Sequence, residues 1–336
     1  MTVTVLRPGL HTTVQDLGRF DYRGVGVPVS GALDAFAMRV ANLLAGGAEG
    51  CAVLEATMAG PALRFEQSAL IALCGGELDA RVDGAPVPYW RPVLVRRGSV
   101  LELGYARSGC RAYIAVAGGF AVPAVMGSAS TYVRGGFGGF AGRALQAGDT
   151  LARGEPGPAG RALAERLAAA APGAAAAWPP WFVQPELLPA YGQGVTVRAI
   201  PGPELDRFDP AARDRFWSEP YRVTVRSDRM GCRLEGAELQ LRQPLEMVSE
   251  AVAPGTVQVP PGGQPIVLLA DCQTTGGYPR IAHVAAVDLP LLAQLKPGDT
   301  VRFRPVTVEE AEELLWIRSR ELQLLAAGIA ARIKSV

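Results

Sequence analysis

Apolar and polar residues alternate with a period of two along much of this chain, in short runs punctuated by glycine and proline. Residues 2–6 (Thr-Val-Thr-Val-Leu) alternate like a strand, and Arg7-Pro8-Gly9 ends them. A helical period first appears at Leu33, Phe36, Ala37, Val40, Ala41 and Leu44, and Gly46-Gly47 stops it. Ser30 or Gly31 stands where a cap for that helix is expected. From 51 to 150 the pattern is all β. It predicts strands at 51–57, 61–66, 69–74, 78–82, 93–96, 99–104 and 111–116, separated by turn signals such as Asp83-Gly84, Arg97-Gly98 and Ser108-Gly109. Residues 152–180 change character, with Pro-Gly punctuation around an Ala-rich segment that predicts a linker with one short helix near 160–171. β texture resumes at Gly194, with a short helix near 210–217 and strands near 221–227, 232–241, 255–259, 265–270 and 301–305. From Val308 to Ile333 the chain reads as a helix, with Leu314, Leu315, Ile317, Leu322 and Leu325 forming an apolar stripe. That stripe suits docking on the chain's own core or, alternatively, binding a partner.

The expected fold is therefore mainly β, with a few short helices and a C-terminal helix. At 336 residues the chain exceeds one typical core. The expected division is a first β domain at 1–151, a linker at 152–190, a second β domain at 191–305 and the helix at 306–336. The two β regions share patterns in the same order. Leu145-Gln146-Ala147-Gly148-Asp149-Thr150-Leu151 matches Leu295-Lys296-Pro297-Gly298-Asp299-Thr300-Val301, which points to a duplicated β domain.

Composition narrows the function classes. Lys plus Arg is 33 and Asp plus Glu 32, so no general field draws the chain to nucleic acid or to an anionic membrane. Gly (40) and Pro (27) make up about a fifth of the residues, in keeping with many short strands joined by turns. Five scattered cysteines without a C-x-x-C pair argue against a disulfide framework or zinc site. No secretory leader or membrane-length apolar run is evident, so a cytoplasmic location is expected.

The candidate chemistry centres on Asp271-Cys272-Gln273-Thr274-Thr275-Gly276-Gly277-Tyr278-Pro279-Arg280, which follows an apolar run, Ile266 to Ala270. A loop that only turns needs no such set of carboxylate, amide, hydroxyls, phenol and guanidinium on glycine-rich backbone. With only His11 and His283, and no Gly-x-Ser-x-Gly elbow, serine hydrolysis and His-based metal binding have no support. The only lysines, Lys296 and Lys334, fit neither a P-loop nor a biotin-acceptor turn. The Gly135 to Arg143 loop precedes no long helix and is not a dinucleotide fingerprint, although its amides could form an anion site. What remains suits a small polar ligand with an amide or carboxylate.

At these residues the chain resembles the family of the bacterial 5-oxoprolinase C subunit, KipA and allophanate hydrolase subunit 2. The motifs are Gly9-x-x-Thr12-Thr13-Val14-Gln15-Asp16-Leu17-Gly18-Arg19, Gly26 to Asp34, Tyr113 to Gly119, Met126 to Thr131, Ser227 to Gly231 and Ala270 to Pro279. The resemblance implies two tandem cyclophilin-like β-barrels and a KipI-like B subunit as partner. It implies ATP-dependent action on 5-oxoproline, a small polar amide, together with a separate A subunit. In the urea carboxylase relatives it implies carboxyl transfer to urea from biotin carried on another protein. A regulatory role, binding a KipI-like kinase inhibitor, is the third reading. The expected catalytic residues are Asp271, Gln273, Thr274, Thr275 and Tyr278, and the expected substrate-binding residues are Gln15, Asp16, Ser30, Asp34, Arg229 and Gln258; no metal is expected. Ala129 stands where the family commonly has Arg, which removes one possible anion contact.

Overall fold

A computed structural model describes residues 2–335, and the chain divides into two compact units. The first comprises residues 1–18, 34–189 and 321–336; the second comprises 19–33 and 190–320. The short 19–33 segment thus leaves the N-terminal region and counts with the second unit. The C-terminal helix, Val308–Ser335, is divided between the two. The protein is mainly β, as its alternation predicts.

The first unit is built on a ten-stranded sheet. Its centre is a pair of long antiparallel strands, Ala69–Val82 and Val100–Val116, registered from Ile71 opposite Val116 to Val82 opposite Leu101. The sequence predicts four shorter strands here, with turn signals between them. The observed strands instead run through Gly75-Gly76 and Ser108-Gly109. The register shifts between Gly75 and Ala80, so the extra residues are absorbed as bulges, and Gly75 (φ +90°) and Gly109 (φ +66°) supply left-handed backbone. Val3, Val5, Leu54, Phe65, Ile71, Leu101 and Ile114 are among the residues filling the core beneath them.

The helix Ala35–Leu44 packs against both long strands and buries Phe36, Ala37, Val40, Ala41 and Leu44. Its cap is Asp34, whose Oδ1 accepts from the Ala37 amide at 2.9 Å. Ser30 and Gly31, the caps expected from sequence, are both left-handed (φ +56° and +86°) and lie too far ahead of the helix to serve.

The second unit is a closed seven-stranded barrel. Closure comes from a parallel pairing of Gly194–Pro201 with Thr300–Pro305, in which Val195 faces Val301 and Val197 faces Phe303. Alternate residues point inward, and the helix Pro210–Ser218 plugs the core with Phe216. Phe216 stacks on Phe303 at 4.5 Å between centroids and meets Tyr221 at 6.2 Å. The predicted strands 221–227, 232–241 and 265–270 shorten to Tyr221–Val223, Gly231–Glu235 and Ile266–Leu268.

The repeated Gly-Asp-Thr pattern folds the same way in both units. Asp149 Oδ2 accepts from the Gln146 amide at 2.7 Å, and Asp299 Oδ2 from the Lys296 amide at 2.9 Å. The Val5 amide donates to Asp149 O and the Gly148 amide to Val5 O; Val223, Asp299 and Gly298 repeat this ladder, with all four bonds at 2.8 Å.

The C-terminal helix differs from its predicted stripe. Leu315 and Ile317 are exposed, whereas Ala311, Leu322, Ile329 and Ile333 are buried. Ala311, Leu322 and Ile333 are eleven residues apart, three helical turns, so the buried face follows a longer period than the leucines suggested. Among the described residues no helix is long and apolar enough to cross a membrane.

Replacing Phe216 with Ala should remove the stacked ring from the barrel core and cost about 3–5 kcal/mol. Urea denaturation followed by tryptophan fluorescence, with Trp217 adjacent as reporter, checks this.

Candidate functional site

In the second unit the polar loop after the Ile266–Leu268 strand is fixed at its first residue. Asp271 is 5% exposed and accepts from Arg229 Nε at 2.9 Å and Nη2 at 3.1 Å. The Asp271 amide returns a bond to Arg229 O at 3.0 Å. Arg229 Nη2 also donates to Gly31 O at 2.6 Å, and the Ser30 amide donates to Ala270 O at 2.9 Å. Both carboxylate oxygens of Asp271 are therefore engaged by a buried guanidinium in fork geometry. Asp271, expected to be catalytic, and Arg229, expected to bind substrate, form one buried ion pair at the start of the loop.

Ser30 sits inside this clamp. It is 2% exposed with φ +56°, in the left-handed region that a serine seldom occupies. Among the described residues its Oγ has no hydrogen-bond partner. A strained backbone bearing an unsatisfied buried hydroxyl is the kind of defect that folded cores otherwise eliminate.

Beyond the clamp the chain enters a two-residue ribbon, Thr275–Gly276 against Glu250–Ala251. Thr274 contributes its carbonyl to the Val252 amide at 3.0 Å, and Thr275 is exposed on the ribbon. Neither threonine lines the cleft that the neighbouring residues form. That cleft, about 320 Å³, is lined by Met230, Arg233, Gln258, Gln273 and Tyr278, among others. Gln258 is 2% exposed, with Nε2 donating to Tyr278 O and Oε1 accepting from Gln273 Nε2, both at 3.4 Å. A Cβ at Gly276 would lie 2.6 Å from Gln258 Nε2, so this glycine is what lets the buried amide reach the loop.

The far end of the loop is tied by Arg280. Its guanidinium meets Glu204 at 2.8 and 2.7 Å and Glu250 at 2.6 Å. Burial alone would raise the Glu204 carboxyl, but the bonds from the Arg280 side chain and amide outweigh it and hold the pKa below the usual value. Cys272 is 3% exposed and packs with Val252 and Leu268. Burial pushes its thiol up to about 11, which leaves it an apolar filler rather than a nucleophile.

In the first unit, Asp16 is also fully engaged. It accepts from Ser128 Oγ (2.6 Å), Ser130 Oγ (2.5 Å), the Ala129 amide (2.6 Å) and the Gly18 amide (2.8 Å). Gln15 is wholly buried, donating to Thr13 Oγ1 at 2.9 Å and Thr131 O at 3.3 Å. Asp34 is wholly buried as the helix cap. In the neighbouring Gly135 to Arg143 loop, the Gly135, Gly136 and Gly142 amides bond within the loop region. A Cβ at Gly139 or Gly142 would overlap Thr131 Oγ1 (1.8 Å) or Gly136 O (2.1 Å). Those two glycines serve close packing.

The structure thus gathers Gln258, Gln273 and Tyr278 around one cleft and places Asp271, Arg229 and Ser30 in the clamp behind it. Gln15, Asp16 and Asp34 belong to the first unit. Sequence reasoning missed Arg233, which reaches the cleft from the Gly231–Glu235 strand; in an arginine-rich chain nothing in its local pattern distinguished it.

Residues 25–305 match the family model described as carboxyltransferase domain, subdomain A and B. The chain is 40% identical to the C subunit of 5-oxoprolinase from Escherichia coli, over 96% of this chain and 97% of that protein. It is 31% identical to urea amidolyase of Saccharomyces cerevisiae, over 99% of this chain but only 18% of that much longer protein. Among solved structures, that of Kluyveromyces lactis urea carboxylase superimposes with a TM-score of 0.86 at 30% identity, over 96% of this chain and 29% of that one.

Substituting Asp271 by Asn should remove the charge-assisted fork between Asp271 and Arg229, both buried, and destabilise the second unit by about 1.5–3 kcal/mol. Thr275→Val, on the exposed ribbon, should stay within about 0.5 kcal/mol of the parent. Urea denaturation of both variants checks the contrast.

Proposed function

Because the chain belongs to the family of the carboxyltransferase domain, subdomain A and B, we propose that it is the C subunit of an ATP-dependent 5-oxoprolinase. It acts with a KipI-like B subunit and a separate A subunit to open 5-oxoproline to glutamate. The observation that carries this reading is reciprocal coverage, 96% of this chain against 97% of the Escherichia coli 5-oxoprolinase C subunit at 40% identity.

The cleft chemistry agrees with a lactam. A cyclic amide presents one N–H donor and one C=O acceptor, and a side-chain carboxamide is complementary to both. Gln273 donates one N–H to Gln258, which holds its carboxamide plane while leaving its Oε1 and second N–H to a ligand. Arg233 offers a guanidinium to the ligand's carboxylate. Tyr278, 46% exposed, borders the mouth of the cleft. Asp271 acts through Arg229 by fixing where this loop begins. ATP supplies the driving force for opening a resonance-stabilised amide. With lysines only at 296 and 334 and no P-loop, most of the nucleotide apparatus belongs to the partner.

A second reading, carboxyl transfer to urea or a related amide, is favoured by the superposition on urea carboxylase. It uses the same cleft, with biotin arriving on a carrier protein.

The reading is tested by assembling the chain with its cognate B and A subunits and measuring ADP and glutamate formed from 5-oxoproline and ATP. Turnover requiring all three subunits is expected; a folded complex that forms neither product overturns it. Within an active complex, Gln273→Leu should remove the lactam contact and lower kcat/KM by about 5- to 150-fold, equivalent to about 1–3 kcal/mol.

A further inference from the structure

The second unit holds another cleft, of about 280 Å³, that shares no residue with the amide-lined one. Its walls include Arg23, Val252, Thr256, Arg280, Ala282 and His283. The two arginines differ in their accounts. Arg280 is neutralised by Glu204 and Glu250. Arg23, on the short 3-10 turn Phe20–Val25, donates one Nη2 bond to the Val252 carbonyl, and among the described residues no carboxylate is paired with it.

His283 lies on the Arg280–Val284 strand with Nδ1 3.3 Å from Thr256 Oγ1. Thr256 Oγ1 accepts from the Ala253 amide at 3.1 Å and can donate its own proton to Nδ1. In the tautomer in which the Thr256 hydroxyl donates to Nδ1, the ring proton sits on Nε2. Burial, and after it the Arg23 charge, hold the imidazole below its ordinary pKa, so the ring is neutral at pH 7. A Cβ at residue 255 would lie 3.1 Å from Nε2, a close contact that glycine there, at φ +97°, avoids.

One uncompensated guanidinium and one neutral N–H donor therefore share a small cleft. We propose that this cleft binds the carboxylate of a small monocarboxylic acid, its oxygens held by the Arg23 guanidinium and by His283 Nε2–H. The guanidinium fork matches a carboxylate bidentately. A single unpaired positive charge balances a monoanion and leaves a phosphate dianion under-neutralised. Val252 and Ala282, both buried, supply apolar wall for a compact body behind the carboxylate. The site does not depend on the reaction assigned above, and it makes no use of Gln258, Gln273 or Tyr278.

The full chain contains only two histidines, so its imidazole NMR signals are few, and His11→Gln assigns them. Acetate is titrated at constant ionic strength while the His283 ring signals are followed, with inorganic phosphate as comparator. Saturable shifts with acetate are expected, with weaker binding of phosphate. Acetate binding should weaken at least about tenfold in Arg23→Gln, as loss of a charge-assisted contact implies, and recover in part in Arg23→Lys. The proposal is overturned if acetate gives no saturable shift, if Arg23→Gln binds as the parent does, or if phosphate binds more tightly. The backbone amide spectra of both Arg23 variants confirm that any loss occurs in a folded barrel.

Discussion

The buried pair of Arg229 and Asp271 is the constraint on which the second unit's chemistry depends. It joins a turn at 229, the start of the polar loop at 271 and the carbonyl of Gly31, through bonds of 2.6–3.1 Å. Both partners are buried, so displacing Asp271 would take a carboxylate out of a charge-assisted fork in a water-poor setting. Arg280 secures the loop's other end to Glu204 and Glu250. Between these anchors the chain presents Gln273 and Tyr278 to a cleft without needing rigidity of its own. An amide that must meet a planar ligand gains from this arrangement, because orientation fixed beforehand is not a cost of binding.

The clamp also explains how Ser30 can hold a left-handed backbone. Such a conformation costs on the order of 1–3 kcal/mol. The bonds on either side of it, from the Ser30 amide to Ala270 O and from Arg229 to Gly31 O, are of the strength needed to offset it. The hydroxyl that results has no partner among the described residues. Its burial beside the loop's first residue makes the strain part of the same construction as the ion pair.

Much of this was legible in the sequence, and the rest was not for identifiable reasons. The Gly-Asp-Thr recurrence was readable because the aspartate's role is local: it accepts from an amide three residues earlier in both units. The clamp residues were visible as a motif but not as a clamp, since Arg229 and Asp271 are 42 positions apart. Ser108-Gly109 reads as a turn by every local rule, yet the long partner strand Ala69–Val82 keeps it extended through bulges. On the C-terminal helix, Leu315 and Ile317 carry the apolar signal while Ala311 and Leu322 are buried, so hydrophobicity marked the helix without marking its face. Asp34 followed the same logic in reverse: a conspicuous acid proved to be a cap, because only the structure shows the Ala37 amide behind it.

The arginines are where structure changes the sequence reading most. With nearly every base an Arg, residue identity alone could not separate an anion site from a surface charge. Pairing separates them. Arg143 has Asp149, Arg198 has Asp288, Arg229 has Asp271, and Arg280 has two acids. Arg233 and Arg23 each line a cleft, and among the described residues neither has an acid partner. Arg233 is exposed and stays hydrated until a ligand arrives, whereas Arg23 is half-buried, where an anion interacts more strongly. The neighbours then set the chemistry. Carboxamides neighbour Arg233, whereas an imidazole neighbours Arg23, so the two clefts differ in the hydrogen-bonding groups they offer.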